Sequence, residues 1–272
     1  MNTVLNFLFC VFIFTKFSFA QFTAPNVSLS EKDFAAAKKS FEQLISDKDL
    51  VLNIPFDNEK DWDKDLIRDQ AVITTVFAKN RYNNNDMCKV FNFGAEALQV
   101  KEGNYFNGDF TISVWVNVSS VSKWSRIIDF GLGQNNSNIV FSSSASLSGI
   151  PGLAIYKGEG TDLTQLRGKE SDRLKEGEWY HLCATLSGDV AKIYINGKEI
   201  NSVSGFYIPP KKILTKCLIG KSNFENESNF YGYMDDLRIY SRALDNYQVQ
   251  LLSDQTLVNI NKPSETLSLI HK

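Results

Sequence analysis

Residues 176–200 read EGEWYHLCATLSGDVAKIYINGKEI, and this stretch has the two-residue period of β-strands. Between Trp179 and Leu186 every second side chain is apolar, which predicts a strand with one buried face. The turn residues at 187–189 end that strand. A second alternating strand follows and runs into Asn196-Gly197, a pair typical of a type I′ hairpin turn. The stretch therefore predicts two successive hairpins of an antiparallel sheet.

The same pattern extends in both directions along the chain. Short apolar runs bounded by Gly, Asn, Ser and Asp recur from about residue 50, where Leu50, Leu52 and Ile54 alternate, to about residue 240. None of the intervening segments has the pattern of the crossover helices that a parallel α/β sheet needs, so an all-β domain is predicted. The clearest predicted strands are 90–93, 110–118, 126–130, 152–156, 179–186, 192–196, 217–220 and 232–240.

Two helices are predicted outside these strands. Ser30 and Asp33 approximate a capping box before apolar residues at helical spacing, which predicts a helix over about 31–47 that packs against its own domain. Asp245 with Gln248 predicts a cap for a short helix ending near Leu252.

The first residues of the chain predict export. An apolar run over 4–14 is too short to span a membrane and is followed by Ser18-Phe19-Ala20, which predicts a signal peptide over 1–20. The expected divisions are then a linker and helix over 21–49, a domain over 50–254 and a tail over 255–272. The expected location is secreted or extracellular, or the periplasm or cell surface of a bacterium, and the mature chain is expected to have no membrane span.

Export permits disulfides and, in a eukaryote, N-linked glycans. Cys88, Cys183 and Cys217 remain after cleavage, which predicts one pair and one leftover thiol, with all three pairings open. The candidate glycosylation sites are Asn26, Asn117, Asn135 and Asn226. The formal net charge of −2 and the absence of a basic run argue against nucleic acid as a partner.

Several motifs together resemble a known family. Besides 176–200, the stretches FTISVWVNVSS at 110–120, RIIDFG at 126–131 and YGYMDDLRIYSRAL at 231–244 are similar in order and spacing to laminin-G-like and pentraxin-like domains of the concanavalin A-like lectin/glucanase superfamily. With NIPFDNEKDWDKD at 53–65, the resemblance covers about 50–254. It implies an all-β, concanavalin A-like jelly-roll sandwich of two antiparallel sheets, here with a short N-terminal helix.

The family consists mostly of adhesive and ligand-binding modules, so the resemblance implies a non-catalytic binding protein whose partner is a glycan or an extracellular protein. Carbohydrate is the first expectation. A protein adhesion module and a protein related to glycoside hydrolases are the alternatives.

Calcium binding, known for pentraxins, is not clearly encoded. The corresponding loops, 133–138 and 220–224, offer amides but no carboxylate, although a hard dication favours charged oxygen ligands. No metal site or other cofactor is predicted, and calcium remains open only through backbone carbonyls and other loops. The resemblance also implies no pentraxin-type disulfide, because Ser113 stands where the partner of Cys183 would be.

No catalytic residue is predicted. The stretch 170–176 faintly echoes the paired carboxylates of laminarinase-type enzymes, but its polarity indicates a solvated loop. Asp235 and Asp236 are expected to point to opposite faces of a strand and to bond to backbone or Arg238. His181 is expected to be a structural strand residue.

An exposed aromatic platform with nearby amides is the usual chemistry of a sugar site. Trp115 and Trp179 lie in alternating strands and are expected to pack within the sheets. The candidate ligand-binding residues on predicted loops are Trp124, Tyr156, Tyr207, Phe224 and Tyr231, with Asn135, Asn136, Asn138 and Asn223 as polar partners.

Overall fold

The computed structural model describes residues 31–56, 77–85, 88–91, 98–146 and 148–254. The predicted signal peptide, the sequon at Asn26, most of the 53–65 motif and the tail over 255–272 lie outside these residues.

The described residues contain fourteen β-strands in two antiparallel sheets. In chain order the strands are β1 Leu50–Ile54, β2 Phe77–Ala78, β3 Cys88–Phe91, β4 Leu98–Val100, β5 Phe110–Val118, β6 Arg126–Gly131, β7 Ile139–Ser142, β8 Gly152–Tyr156, β9 Leu163–Arg167, β10 Trp179–Ser187, β11 Val190–Ile195, β12 Lys198–Val203, β13 Lys216–Ile219 and β14 Gly232–Tyr240.

The larger sheet has eight strands in the order β12-β11-β10-β5-β14-β3-β2, with β1 also paired to β14. The smaller sheet has six, in the order β4-β13-β6-β7-β8-β9. The predicted all-β sandwich of two antiparallel sheets is confirmed.

Strand β5 lies near the middle of the larger sheet, and all nine of its residues are buried. Its alternation places Ile112, Val114 and Val116 in the core between the sheets, where they join Phe130 and Phe141 of the smaller sheet. The other side chains of β5 point to the outer face of the larger sheet. This second face is covered as well, which is why the whole strand is buried.

Two helices cover part of that outer face. Helix α1 (Glu31–Ile45) and helix α2 (Asn246–Ser253) share an apolar cluster in which Phe41 and Leu44 meet Tyr194, Tyr240 and Leu252. Both predicted helices are confirmed, α1 ending two residues earlier than expected. In the part of the chain that the structure describes, neither helix has the length and apolarity to cross a membrane.

The predicted cap of α2 and the predicted hairpin turn are present, whereas Ser30 of the approximate capping box before α1 lies outside the described residues. Asp245 Oδ1 accepts a hydrogen bond from Gln248 N (2.8 Å), and Asp245 N donates to Gln248 Oε1 (3.1 Å), which completes the capping box of α2. Asn196 and Gly197 both have positive φ angles, 49° and 77°, as a type I′ turn requires.

The structure joins none of Cys88, Cys183 and Cys217 to another in a disulfide, so the prediction of one pair among them is wrong. Cys183 lies under the helices on the outer face of the larger sheet, whereas Cys217 points into the core between the sheets. Cys88 Sγ donates to the carbonyl of Lys79 (3.3 Å). Strands β3 and β10 are separated by β14 and β5, roughly 14 Å at the usual strand spacing, which is too far for a disulfide.

Candidate functional site

Trp124 lies in the loop between β5 and β6 with a φ of 56°, in the left-handed region that bulky residues rarely adopt. Its backbone N donates to the carbonyl of Ser146 (3.3 Å), and the next residue, Ser125, accepts from Ser143 N (3.0 Å). Both bonds tie this loop to the segment that follows β7. The unusual backbone conformation is therefore held by the surrounding structure.

Arg126 supports the Trp124 ring. Its side chain is almost completely buried, and its guanidinium carbon lies 5.4 Å from the centre of that ring. Nη1 donates to Ser142 Oγ (2.9 Å), and Nη2 forms an ion pair with Glu227. Because Glu227 neutralises its charge, Arg126 serves to position neighbouring rings.

Three of the predicted aromatic residues gather around this guanidinium. The Phe224 ring centre lies 5.7 Å from the Arg126 guanidinium carbon, and the Tyr156 ring lies 5.4 Å from that of Phe224. Burial raises the pKa of the Tyr156 hydroxyl above its ordinary value. Trp124, Phe224 and Tyr156, together with Arg126, form what we call the aromatic row.

Tyr207 extends the row at its far end. With Tyr156 it borders a small pocket whose polar groups are Ser137 and Lys212. Lys212 Nζ donates to Ser137 Oγ (2.9 Å), so these two polar groups are already bonded to each other.

A buried carboxylate, Asp129 in β6, fixes the loops beside the row. Asn138 Nδ2 donates to Asp129 Oδ1 (2.7 Å), and Asn223 donates to it through both its backbone N and its Nδ2 (2.9 Å each). The Nδ2 donors of Asn138 and Asn223 are thus used within the protein.

The remaining predicted polar residues lie in the loop after β6. Asn135 has a φ of 54°, and its carbonyl accepts from Gly160 N (2.8 Å). Asn136 N donates to Asn138 Oδ1 (2.8 Å). These contacts shape the loop between β6 and β7.

Tyr231, the last of the predicted aromatic residues, precedes β14 in the larger sheet, where its carbonyl accepts from Ser119 N (3.0 Å).

The asparagines of the predicted glycosylation sites differ in solvent exposure. Asn117 is buried, and its Nδ2, the atom that would carry a glycan, donates to the carbonyl of Gly177 (2.9 Å). The folded structure therefore contradicts glycosylation at Asn117. Asn226 is exposed and Asn135 is half-buried.

An open groove borders Trp124 on the side of the sheet edges. It runs between β9, an edge of the smaller sheet, and β12, an edge of the larger one. Asn201 Nδ2 donates to the carbonyl of Arg167 (2.8 Å) and so joins the two edges. The residues lining the groove are Trp124, Ala145, Ser146, Gln165, Leu166, Arg167, Asn201, Ser202 and Val203.

The sequence analysis named only Trp124 among the residues of this groove. Ala145 and Ser146 follow β7, and the other lining residues lie on β9 and β12, two strands whose bounds it did not give because most of their side chains are polar or exposed. The signal that was available is the second hairpin, since Asn196-Gly197 requires a strand after it. That strand is β12.

The acidic stretch over 170–176 is a solvated charge run, as expected. Glu170–Asp172 forms a turn of 3-10 helix, and Glu170 pairs with Arg173 (2.6 Å) on the surface. Glu176 Oε1 accepts from Val121 N (2.9 Å), which ties it to a loop.

The expectation that Asp235 and Asp236 point apart is wrong. The pairing of β14 with β5 shifts register between Asp235 and Arg238, and Asp236 has a φ of 53°. This bulge turns both carboxylates to one guanidinium: Asp235 pairs with Arg81 Nη1, and Asp236 Oδ2 with Arg81 Nη2 (2.6 Å). The expected bond to Arg238 is present, from its Nη2 to Asp236 Oδ1 (2.8 Å).

His181 is a buried strand residue, as expected. Its Nε2 lies 2.8 Å from Ser113 Oγ, and its ring centre lies 5.4 Å from that of Trp115. Burial, with the positive charges of Arg81 and Arg238, lowers its pKa to about 3. A serine and histidine at this distance are the first two members of a catalytic triad, but both are buried here and Nδ1 has no partner among the described residues.

Within the described residues, no three His, Cys, Asp or Glu side chains gather as a metal site would require. Calcium binding through backbone carbonyls stays a prediction.

Comparison with known proteins agrees with the fold. The sequence model of the concanavalin A-like lectin/glucanases superfamily matches residues 93–250. A comparison with curated protein sequences gives no significant match.

Solved structures match this chain at low identity, and the first two below, with TM-scores above 0.5, share its fold. Domain 4 of the extracellular arabinanase AbnA from Geobacillus stearothermophilus, solved with arabinotriose, is 23% identical at a TM-score of 0.56, over 66% of this chain and 82% of that one. The binding domain of Paraclostridial Mosquitocidal Protein 1 is 20% identical at a TM-score of 0.51, over 76% of this chain and 52% of that one. A heptameric SAP-like pentraxin from Limulus polyphemus is 15% identical at a TM-score of 0.46, over 58% of this chain and 75% of that one.

Proposed function

The chain belongs to the concanavalin A-like lectin/glucanases superfamily, and from this membership and the surroundings of Trp124 we propose that it is a secreted, non-catalytic module that binds carbohydrate. The proposed site is the groove between β9 and β12, with Trp124 as its aromatic platform.

The conformation of Trp124 carries the proposal. A left-handed backbone at a bulky residue costs on the order of 1–3 kcal/mol, and such strain is concentrated at functional sites. Here it places an indole at the border of a groove whose other side chains are mostly polar. An aromatic face that stacks on a sugar ring, with hydrogen-bonding groups beside it, is the chemistry of carbohydrate recognition.

Three further observations support the class of function. The apolar run over 4–14 favours export, where glycans are abundant. The domain of the extracellular arabinanase that shares this fold was solved with an oligosaccharide bound. The adjacent Asp235 and Asp236 are buried and paired with Arg81, which favours binding over hydrolysis.

A protein partner is the second candidate, and one surface favours it. Ile208 and Ile213, in the segment between β12 and β13, are 46% and 61% exposed and lie near Tyr207 in the chain. Exposed apolar side chains of this size are common in protein interfaces.

A glycan array tests the first candidate. We expect the exported chain, screened with and without calcium, to bind a restricted set of glycans, and Trp124→Ala to lose at least about tenfold in affinity for them. Tyr247→Ala is the matched control, because Tyr247 is an exposed aromatic residue on α2, outside the groove. A blank array, or full binding by Trp124→Ala, overturns the proposal and directs the search to a protein partner at Ile208 and Ile213.

A further inference from the structure

We propose that the groove beside Trp124 selects a carboxylate-bearing pyranose, with the guanidinium of Arg167 paired to the ligand carboxylate. This inference rests on the proposed function and adds the charge of the sugar to it.

The charge of the groove carries the inference. Among the described residues that line it, Arg167 is the one cation and none is acidic. Arg167 is exposed, and its guanidinium has no ion-pair partner among the described residues. Two other cations in this part of the chain are paired on the surface, Lys157 with Asp162 (3.3 Å) and Arg173 with Glu170 (2.6 Å). Arg167 therefore gives the groove a net positive charge that the protein itself does not neutralise.

Arg126, the second arginine near Trp124, differs from Arg167 in both exposure and ion pairing. Arg126 is buried and paired with Glu227, so it is not available to a ligand. The two arginines thus have separate tasks: Arg126 positions the aromatic ring, and Arg167 offers a charge to whatever lies on it.

The backbone at Arg167 is fixed while its side chain is open to solvent. Its carbonyl accepts from Asn201 Nδ2 (2.8 Å), and its cross-strand partner in β8 is Gly152. Cross-strand partners point to the same face of a sheet, and a glycine contributes no side chain there. A side chain at Gly152 would meet Ala145, whose Cβ is 2.5 Å from the position of an added Cβ, so the lining beside the Arg167 backbone is closely packed.

The chemistry of the lining suits an acidic sugar. A guanidinium matches the two oxygens of a carboxylate in a planar fork, and such charge-assisted hydrogen bonds are stronger than those to a hydroxyl. Trp124 would stack on the apolar face of the same ring. The exposed side chains of Gln165 and Ser202 supply donors and acceptors for its hydroxyls.

Calorimetric titration of the full exported chain with matched probes tests the inference. Tri-galacturonic acid is compared with its methyl ester, which keeps the sugar and removes the charge, and sialyllactose is compared with lactose. We expect at least one acid to bind about tenfold tighter than its neutral counterpart, and Arg167→Gln to remove that preference. Lys169→Gln removes an exposed charge that does not line the groove, and should keep it.

The outcomes separate this inference from the proposed function. Equal affinity for acid and neutral probe, no binding of either acid, or an Arg167→Gln variant with the wild-type preference overturns the inference, while a Trp124-dependent signal on the array leaves the proposed function standing. Tighter binding of a sulfated than of a carboxylated sugar also overturns it. Circular dichroism spectra of both variants that match the wild type exclude a folding defect.

Discussion

The guanidinium carbon of Arg126 lies 5.4 Å from the centre of the Trp124 ring, and the rest of that guanidinium is held by two other parts of the chain. Ser142 in β7 accepts from Nη1, and Glu227, in the loop before β14, pairs with Nη2. Glu227 is in turn bonded by Ser222 Oγ (2.7 Å). The position of the proposed platform is therefore set by residues far from it in sequence.

Replacement of Arg126 by methionine tests this arrangement. The variant keeps much of the side-chain volume but leaves the mostly buried Glu227 carboxylate without its cation. We expect the free energy of unfolding to fall by about 2–3 kcal/mol, somewhat less than for a fully buried pair because Glu227 is partly exposed. Urea denaturation measures it. The double variant with Glu227→Gln should recover part of the loss, and a change below about 0.5 kcal/mol in the single variant would contradict the role of the pair.

The ion pairs of Arg81 should contribute more to stability. Arg81 and both of its aspartate partners are almost completely buried, so Arg81→Met leaves two carboxylates without this cation in the protein interior. We expect a loss of about 3–5 kcal/mol in the free energy of unfolding, measured by urea denaturation. Arg173→Met is the comparison: its ion pair with Glu170 is exposed on both sides, and its loss should change stability little. Similar effects for the two variants would contradict this account.

Strands β5 and β14 show what the sequence can and cannot predict. Alternation in residues 110–118 and 232–240 predicted β5 and β14 with their observed bounds, because a strand with an apolar inner face must alternate. The same rule failed at Asp236, where a single residue with positive φ reverses the direction of a side chain. A bulge depends on which strand pairs with which, and that information is not local.

The candidate site could likewise be predicted only in part from the sequence. Trp124, Phe224 and Tyr156 could be selected as loop or strand-end aromatics, but their meeting at Arg126 depends on the pairing of β6 with β7 and of β7 with β8. Nothing in the sequence marked Arg167 as a site residue, since a single arginine in a polar strand is common. Only the strand order places it across a groove from Trp124.

The cysteines give a test of the corrected disulfide prediction. Burial raises the pKa of the Cys217 thiol to about 12 and that of Cys183 beyond its usual range. Since the thiolate is the reactive form, we expect neither to react with iodoacetamide in the native protein and both to react in urea. Peptide mass spectrometry gives the site of modification. A peptide that carries a disulfide at Cys183 or Cys217 would contradict the structure.

His181 makes stability depend on pH in a defined direction. Its folded-state pKa is about 3, against 6.5 for an unperturbed imidazole, because it is buried beside Arg81 and Arg238, with Asp236 as the opposing charge. The folded protein therefore holds His181 neutral, whereas the unfolded chain takes up a proton as the pH falls below about 6.5. Protonation of the unfolded chain then favours unfolding.

The contribution of His181 is present above its unfolded pKa and is lost as the pH falls toward 3. Between pH 7 and pH 5 we expect it to lower the free energy of unfolding by about 2 kcal/mol. Other groups titrate in the same range, so the measured quantity is the difference between wild type and His181→Gln, each unfolded with urea at both pH values. Glutamine can keep a hydrogen bond to Ser113 but takes up no proton, so the variant should lose less stability on acidification. Equal losses in the two proteins would mean that His181 is protonated in the folded state, and that the side chain is not held neutral by its burial.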